Sequence, residues 1–394
     1  MNLMSEKGTI KKTIAELYYI AHVNNLPSII EKGILSHDTM LKQGINPTPI
    51  SDEEIVQRRK EKTTPDGKSL WMYANLYFQP KNPMLYRVAH NSGVEDLAVL
   101  SVRREILDLP GVFMTDGNAA SDNSQMNPVS PSRLGIIANQ IETIWWDAVD
   151  GKRKSMAECL VPDIVPPGYL ESVYVANHAV ADKVKEIVGE SALPVIPQPA
   201  MFFQDTTMTE LENLQVLEGD MFFSRMQTLT ISVNCVGIMG KGLAARAKYL
   251  FPDVFVYYND LCRKKRMKLG KPFLYRRDYS LVAQLADEPM EATDADSGKW
   301  FLLFPTKDHW RDRADLLGIE KGLKWIVDNY HELGLKSLAL PALGAGLGGL
   351  EWKQIGPLIC TYMSMVKIPV RVYLPAEKKI PEKYLSKDFL LRGS

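Results

Sequence analysis

The chain has 394 residues, 45% of them hydrophobic and 24% charged, and its 47 basic side chains balance its 47 acidic ones. Such a length suits two or three folded domains, and a neutral chain of ordinary apolar content is neither a disordered polyelectrolyte nor a protein that charge alone marks as nucleic-acid-binding. No apolar run is long enough to span a bilayer and the lysine-bearing N-terminus lacks a signal h-region. Cys159, Cys235, Cys262 and Cys360 fit neither a paired metal spacing nor a disulfide framework, so the expectation is a cytoplasmic protein with no membrane partner and no metal.

In chain order, Ile20 to Leu26 carries His22 and Asn24 ahead of a short amphipathic helix, Leu26 to Lys32, that Gly33 caps. Leu70 to Phe78 is aromatic and strand-like, and ends at Gln79-Pro80-Lys81-Asn82-Pro83-Met84. Thr115-Asp116-Gly117-Asn118-Ala119-Ala120 opens a stretch rich in Ser, Asn and Pro. The segment Ser121 to Gly151 is too long without periodicity for an ordinary connection, which suits a functional loop. Ala157-Glu158-Cys159-Leu160-Val161-Pro162 sets one carboxylate at the start of a strand-like run. Taken alone, Glu158 reads as a strand-edge surface residue or a catalytic one, and His22 as a structural residue or a ligand-binding one. Ala179 to Val188 reads as a helix. Ala192 to Ala200 holds three prolines, Pro194, Pro197 and Pro199, and reads as a linker or a packed crossing segment.

Beyond that break, Leu229 to Val233 reads as a buried strand, followed by Asn234 to Gly242 and a helix from Ala244 to Leu250. Strand, glycine turn and helix start together form an anion-binding device, because glycine lets the backbone approach a phosphate and the free N–H groups of the first helical turn point at it. Trp300 to Phe304 and Ser337 to Pro341 read as two more strands. They end in Phe304-Pro305-Thr306-Lys307-Asp308-His309-Trp310 and in Ala342-Leu343-Gly344-Ala345-Gly346-Leu347-Gly348-Gly349-Leu350-Glu351-Trp352. Ligands of open α/β sheets bind at the carboxyl ends of strands, and two facing phosphate loops suit a diphosphate such as ADP-ribose. Asp287 to Gly298 reads as an acidic surface loop, Arg263 to Lys268 as a solvated basic face or a DNA phosphate contact, and Lys378 to Ser394 as a charged, partly ordered tail.

Asn234 to Lys248, the Phe-Pro-Thr-Lys-x-His-Trp segment and the Leu-Gly-Ala-Gly-Leu-Gly-Gly-Leu-x-Trp segment resemble the macrodomain of DarG, an antitoxin that removes ADP-ribose from DNA; the likeness covers Leu211 to Pro375. It implies that Asn234, Gly240, Gly242, Gly344, Gly346 and Gly348 bind ADP-ribose, that Asp220 contacts the adenine and that Lys307 is catalytic. The first half resembles DarT, a DNA ADP-ribosyltransferase, over Glu16 to Asn177. His-x-Asn-Asn-Leu, Ile-x-x-Arg-Arg, Tyr-Phe-x-Pro-x-x-Pro-Met, Thr-Asp-Gly-Asn-Ala-Ala and Ala-Glu-x-Leu-Val-Pro occur in the family's order.

That likeness implies a catalytic Glu158, an NAD site built from His22, Asn24, Arg59 (or Arg58), Tyr77 and Met84, and Asp116 and Asn118 in the transferase site. Lys81 stands where many relatives carry Arg, giving up a bidentate contact. Breaking the nicotinamide–ribose bond builds positive charge at the anomeric carbon, which a carboxylate such as Glu158 can stabilise. Arg59 offers a fork to the diphosphate or to a DNA base, while the aromatic strand from Tyr73 stacks on nicotinamide or, more simply, fills core.

The expected architecture is therefore mixed α/β and α+β: an ADP-ribosyltransferase-like fold over 1–206, a three-layer α/β/α macrodomain over 207–376, and a charged tail over 377–394. The expected function is a toxin–antitoxin fusion whose partners are NAD as substrate, single-stranded DNA and ADP-ribosylated DNA. The target base must leave the stack to be modified. Residues 1–206 carry 20 Lys+Arg against 25 Asp+Glu and residues 207–394 carry 27 against 22, and these opposite signs favour an intramolecular contact between toxin and antitoxin. The alternatives are an inactive transferase-like domain fused to an ADP-ribose reader, or the same two activities on RNA or protein.

Overall fold

The computed structural model describes residues 14–50, 53–143, 150–189, 193–277, 287, 298–375 and 378–391. The chain divides into two compact units, Met1–Phe202 with Leu285–Asp287, and Phe203–Gln284 with Glu288–Ser394. The expected boundary at 206/207 falls inside the first strand of the second unit, so the division lies slightly earlier. Among the described residues no helix is long and apolar enough to cross a membrane.

The first unit contains β1 (Glu16–His22), β2 (Ile34–Leu35), β3 (Tyr73–Tyr77), β4 (Leu97–Arg103), β5 (Phe113–Thr115), β6 (Met126–Pro128), β7 (Glu158–Pro162), β8 (Ile164–Val165), β9 (Leu170–Val175) and β10 (Val195–Pro197). Eight of them form one sheet in the order β10-β9-β4-β1-β3-β7-β5-β6, while β2 and β8 pair separately. Every neighbouring pair in the large sheet is antiparallel except β10 with β9. Leu17, Leu76, Ala98, Leu100, Cys159 and Val173 put the interior of the sheet into one core with Leu26 and Val184 of the flanking helices. Two antiparallel pairings then fix the site: Tyr77 lies opposite Glu158, and Met114, the residue before Thr115, opposite Cys159.

The structure decides or changes three expectations for this unit. Of the two readings of the proline segment the packed one holds: Val195–Pro197 is an edge strand on β9, followed by a 3-10 turn Pro199–Phe202. An edge strand pairs on one side only, so Pro197 costs no ladder bond. Ser121 to Gly151 is not a bare loop, since it holds β6 and the helix Pro131–Thr143; residues 144–149 lie outside the described residues. Asp287 is not a surface residue: its side chain is 9% exposed and pairs with Arg87 at 2.6 Å within the first unit. Arg87 projects inward from the helix Pro83–Ser92, and a buried guanidinium needs such a counter-charge. Residues 288–297 of that expected loop lie outside the described residues.

The second unit contains β11 (Thr206–Glu210), β12 (Leu214–Glu218), β13 (Thr228–Asn234), β14 (Phe273–Tyr275), β15 (Trp300–Lys307), β16 (Leu338–Pro341) and β17 (Val370–Tyr373). Their order is β11-β12-β17-β16-β13-β15-β14, parallel from β12 through β15 and antiparallel at both edges. Leu302, Phe304, Leu338, Leu340, Val370 and Val372 pack on the helices Leu316–Asn329 and Trp352–Met363. On the other face Phe301 meets Phe251, at the junction of the helices Gly242–Leu250 and Pro252–Arg263. Parallel strands buried on both faces between helices make the expected three-layer α/β/α sandwich.

The C-terminal tail is more ordered than its charge suggests. Leu385 and Leu390 are buried in the second core, Trp352 Nε1 donates to the Tyr384 carbonyl at 2.9 Å, and the Thr209 hydroxyl donates to the Leu385 carbonyl. Two apolar anchors outweigh the surrounding lysines. In the basic run Arg263 to Lys268, Met267 is buried and Lys264 pairs with Asp260, so that run is in part a solvated, charge-paired face.

Candidate functional site

The first site grows from the start of β7. Glu158 is 0% exposed, yet it meets two donors. Arg59, from the helix Glu53–Glu61, reaches across with Nη1 at 3.2 Å from Oε1 and Nη2 at 3.0 Å from Oε2. The Ala119 backbone N–H donates to Oε1 at 2.8 Å, and the Glu158 N–H donates to Thr115 Oγ1 at 2.8 Å. Burial works against the Arg59 charge, but the facing carboxylate outweighs it and holds the guanidinium more firmly protonated than usual. Burial first, and then the Glu158 charge, push the Tyr77 hydroxyl well above the ordinary phenol range. Tyr77, Arg59 and Glu158 therefore form one buried cluster. In the structure the Arg59 fork is aimed at Glu158 rather than at a free ligand space, and Arg58 is on the exposed side of the same helix.

The other expected residues of this domain are arranged around that cluster. His22 ends β1 and accepts the Asn24 N–H on Nδ1 at 3.1 Å, with Asn24 exposed. Tyr18 of β1 pairs with Tyr77, and β1 runs on from Tyr18 to His22, about 13 Å of strand, so His22 is not beside Glu158. Met84 is half-buried in the first turn of the helix Pro83–Ser92, which Asn82 caps through the Leu85 N–H at 3.0 Å. Asp116 and Asn118 turn their side chains to their own loop: Asp116 Oδ1 accepts the Gln125 N–H at 2.8 Å and Arg153 Nη1 at 2.9 Å, and Asn118 Oδ1 accepts the Ala120 N–H at 2.9 Å. They build the turn that presents Ala119. The Ala119 donor and Arg153, which clasps that turn, were not foreseen; the only signal was the basic run Lys152-Arg153-Lys154 just before Glu158.

The second site lies where β16, β13 and β15 end side by side. Asn234, the last residue of β13, is level with Lys307, the last of β15. Its Oδ1 accepts the N–H groups of Val236 at 3.0 Å and Ile238 at 3.3 Å, and its Nδ2 donates to the Ile238 carbonyl at 2.6 Å. The Tyr258 hydroxyl lies 2.9 Å from both Asn234 oxygens. Asn234 thus folds the first glycine loop.

Lys307 Nζ donates to the Asp312 carbonyl at 2.8 Å and reaches the Leu347 carbonyl of the second loop at 3.4 Å. Leu347 also stands over Gly242, so the two loops converge at Lys307. Burial, and then the Asp308 charge, push the neighbouring Cys235 thiol up to about 12.

The glycines divide by role. A Cβ at Gly346 would meet nothing within 4 Å, and one at Gly240 only an Ile238 methyl at 3.8 Å. Gly344, at φ +74°, would drive a Cβ to 2.8 Å from Ala314 Cβ, and Gly348 to 2.5 Å from the Gly344 carbonyl oxygen. Gly346 and Gly240 leave space above the loops, while Gly344 and Gly348 close them from below. Asp220 caps the 3-10 turn Met221–Phe223, accepting the Phe222 N–H at 3.1 Å, and pairs with Arg246 at 2.6 Å.

An antiparallel sheet with a buried Arg–Glu pair, followed by an α/β/α sandwich with two glycine loops around a lysine, defines an ADP-ribosyltransferase-type domain joined to a macrodomain. A family model described as "ssDNA thymidine ADP-ribosyltransferase, DarT" matches residues 18–203, and one described as "Macro domain" matches residues 290–359. The DNA ADP-ribosyl transferase–DNA ADP-ribosyl glycohydrolase fusion protein of Thermosipho africanus is 51% identical over 382 residues, 95% of this chain and 98% of the relative. The DNA ADP-ribosyl glycohydrolase of Thermus aquaticus is 34% identical over 165 residues, 42% of each chain. The solved structure of Thermosipho africanus DarTG in complex with ADP-ribose superposes with a TM-score of 0.87, covering 96% of this chain and 100% of that one at 49% identity. The chain belongs to the family of DNA ADP-ribosyl transferase–DNA ADP-ribosyl glycohydrolase fusion proteins, a DarT-like toxin and a DarG-like antitoxin on one polypeptide.

Proposed function

We propose that the first domain moves the ADP-ribosyl group of NAD onto thymidine in single-stranded DNA and that the macrodomain hydrolyses it off again. The base is taken from the description of the matching family model, and the NAD requirement from a DarT of Thermus sp. 2.9 solved with NAD+. The observation that carries the transferase reading is the fully buried Glu158 held by Arg59 and the Ala119 N–H. An ionised carboxylate is costly to bury, and a fold that holds one without solvent keeps its field undiluted for charge developing nearby. NAD brings an anionic diphosphate that competes for the Arg59 guanidinium. As Arg59 turns to it, Glu158 is left to accept from a ribose hydroxyl and stabilise the cationic anomeric carbon as nicotinamide departs, or to take the proton that the attacking base nitrogen gives up. Tyr77, opposite Glu158, and Met84, on the helix after β3, contribute to the NAD site, as do His22 and Asn24 at the end of β1.

In the macrodomain, the Gly240–Gly242 and Gly346 faces take the diphosphate, Asp220 takes the adenine amine, and Asn234 keeps the first loop in shape. Lys307, anchored by two carbonyls, protonates the departing base or attacks the anomeric carbon. Covalent fusion keeps the eraser at high effective concentration beside its substrate.

Single-stranded oligonucleotides incubated with labelled NAD and the Lys307→Ala chain, then analysed by mass spectrometry, test this reading. The expected product carries ADP-ribose on thymidine, and the native chain removes it. RNA and protein acceptors in the same competition should stay unlabelled. Binding of ADP-ribose without any labelling would favour a reader attached to a silent transferase. In cells, Lys307→Ala should be toxic unless Glu158 is changed as well.

A further inference from the structure

We infer that Arg153 is a positioning residue for the transfer reaction, acting on Glu158 through the turn Asp116–Ala119. This rests on the reading of Glu158 as the carboxylate of that reaction.

Glu158 Oε1 receives one backbone donor, the Ala119 N–H at 2.8 Å. Ala119 is fully buried, its methyl packed among Leu70, Tyr73, Phe113 and Leu160, but the polar turn that leads to it and sets the direction of its N–H must be held as well. Arg153 does so from below. Its Nη1 donates to Asp116 Oδ1 at 2.9 Å and to Ser124 Oγ at 2.9 Å, and its carbonyl accepts the Asn118 N–H at 2.9 Å. Ser124 Oγ donates in turn to the Asn118 carbonyl at 2.6 Å. One residue thus grips the turn directly at Asp116 and Asn118 and a third time through Ser124.

Gly117 lies flat on Arg153. A Cβ there would stand 2.4 Å from Nη1 and 2.8 Å from the Arg153 carbonyl oxygen, so the fit requires glycine. Arg153 is fixed from the other side by a fork onto Asp150, Nε to Oδ1 at 2.7 Å and Nη2 to Oδ2 at 2.6 Å, and its side chain is only 11% exposed. Gln140 Nε2 braces the same place, donating to the carbonyls of Asp116 at 3.0 Å and Lys154 at 2.7 Å.

The chain order gives the clasp its reach. Arg153 lies in the short helix Gly151–Ser155, which feeds directly into β7 and Glu158. The segment carrying the carboxylate therefore also carries the residue that aims the backbone donor at it. Lysine has one point charge where arginine has a fork, and cannot serve Asp150, Asp116 and Ser124 together.

Loss of the clasp withdraws the Ala119 N–H. A carboxylate losing that donor is no longer held where the charge of the transition state develops, so the rate falls while NAD binding is kept. A misplacement of about 1 Å near reacting groups can cost about 100-fold in rate.

The test measures nicotinamide release from NAD in the presence of a thymidine-containing single-stranded oligonucleotide, with the full chain. This readout is independent of whether the macrodomain erases the product. For Arg153→Met we expect kcat to fall by about 10- to 100-fold while KM for NAD stays within about twofold. Arg153→Lys should recover part of the rate. Asp116→Asn, which keeps shape but removes the charge that Arg153 holds, should lower kcat by less, again at unchanged KM, and it keeps the inference testable if Arg153→Met does not fold.

The inference is overturned if kcat stays within about twofold of the native value in both Arg153→Met and Asp116→Asn, or if KM rises in proportion to any loss, which would make Arg153 an NAD ligand. Glu158→Gln in the same assay separates the two levels. Retained activity there sinks the reading of Glu158, whereas an inactive Glu158→Gln beside an unaltered Arg153→Met sinks only the role of Arg153.

Discussion

Arg59 and Glu158, far apart in the chain, meet as a two-point ion pair, with nitrogen–oxygen distances of 3.2 and 3.0 Å and with the carboxylate wholly removed from solvent. The Arg59 side chain is itself only 17% exposed, so it forms the lid of the carboxylate and the wall between it and water. An arrangement of this kind ties stability to chemistry, because neither charge is stable there without the other.

The first prediction follows from that coupling. Glu158→Gln should abolish nicotinamide release and also destabilise the domain, since it strands the Arg59 charge; removing one partner of a buried pair costs about 3–5 kcal/mol. The double variant Arg59→Met, Glu158→Leu should unfold at a urea concentration close to that of the native chain while remaining inactive. Urea titrations of the three chains check this, and a Glu158→Gln chain that transfers at the native rate would refute the assignment.

Lys307 offers the second prediction. Its amine is held by the carbonyls of Asp312 and Leu347, not by a carboxylate, so its removal leaves no buried charge behind. Lys307→Ala should therefore melt within a degree or two of the native chain and bind ADP-ribose with similar affinity. Clearance of ADP-ribose from a modified oligonucleotide should fall by about 100- to 10,000-fold, the usual worth of a positioned proton donor or base. Clearance at the native rate would assign the chemistry to another residue.

A third prediction concerns pH. Asp66 accepts from the Thr64 hydroxyl at 2.5 Å and the Tyr73 hydroxyl at 2.7 Å and lies 3.2 Å from Lys68. These partners, the Thr64 hydrogen bond foremost, hold its carboxyl down to about 2. A depressed carboxylate stabilises the fold above its unfolded value of about 3.9, and the contribution is lost as pH falls through the folded value. The gap in melting temperature between the native chain and Asp66→Asn should be widest near pH 6, narrow below about pH 4 and close near pH 2. Melting scans across that range decide it, and a gap that widens on acidification would contradict the sign.

The sites were legible to different depths, and for physical reasons. Strand, glycine loop and helix start are local devices, so β13, the loop from Asn234 and the helix Gly242–Leu250 could be read directly from residue spacing. That three such strand ends are neighbours follows from the order β16-β13-β15, which the sequence suggested only through the shared character of the loops. Glu158 was visible as a lone carboxylate in a motif, but its partner lies 99 residues earlier, and no local pattern aims Arg59 at it instead of at a diphosphate. The resemblance makes Asn234, Asp116 and Asn118 ligand contacts, and the structure adds that their side chains fold the loops around them. Short polar side chains satisfy neighbouring backbone groups as readily as ligands, and sequence cannot separate the two uses. Which of linker and packed segment the proline run adopts, and what anchors the charged tail, are not legible, because a one-sided strand and two buried leucines need no periodic pattern.

The last prediction separates the two kinds of glycine in the second loop. A side chain at Gly346 enters open space, for an added Cβ meets no heavy atom within 4 Å. Gly346→Glu should therefore keep the melting temperature while its carboxylate occupies and repels the diphosphate position, and calorimetry should show ADP-ribose binding lost. Gly344 is constrained twice, by a φ of +74° and by contacts at 2.8 Å to Ala314 Cβ and 2.9 Å to Leu350 Cδ1. Its alanine variant carries a left-handed backbone penalty of about 1–2 kcal/mol in addition to the clash. For a domain of this size each kcal/mol lowers Tm by about 2–4 °C. Gly344→Ala should thus melt several degrees early, yet bind ADP-ribose at low temperature, because its Cβ points into the core beneath the loop. A Gly346→Glu chain that melts early, or a Gly344→Ala chain that melts normally but fails to bind, would exchange the two roles and place the diphosphate on the other side of the loop.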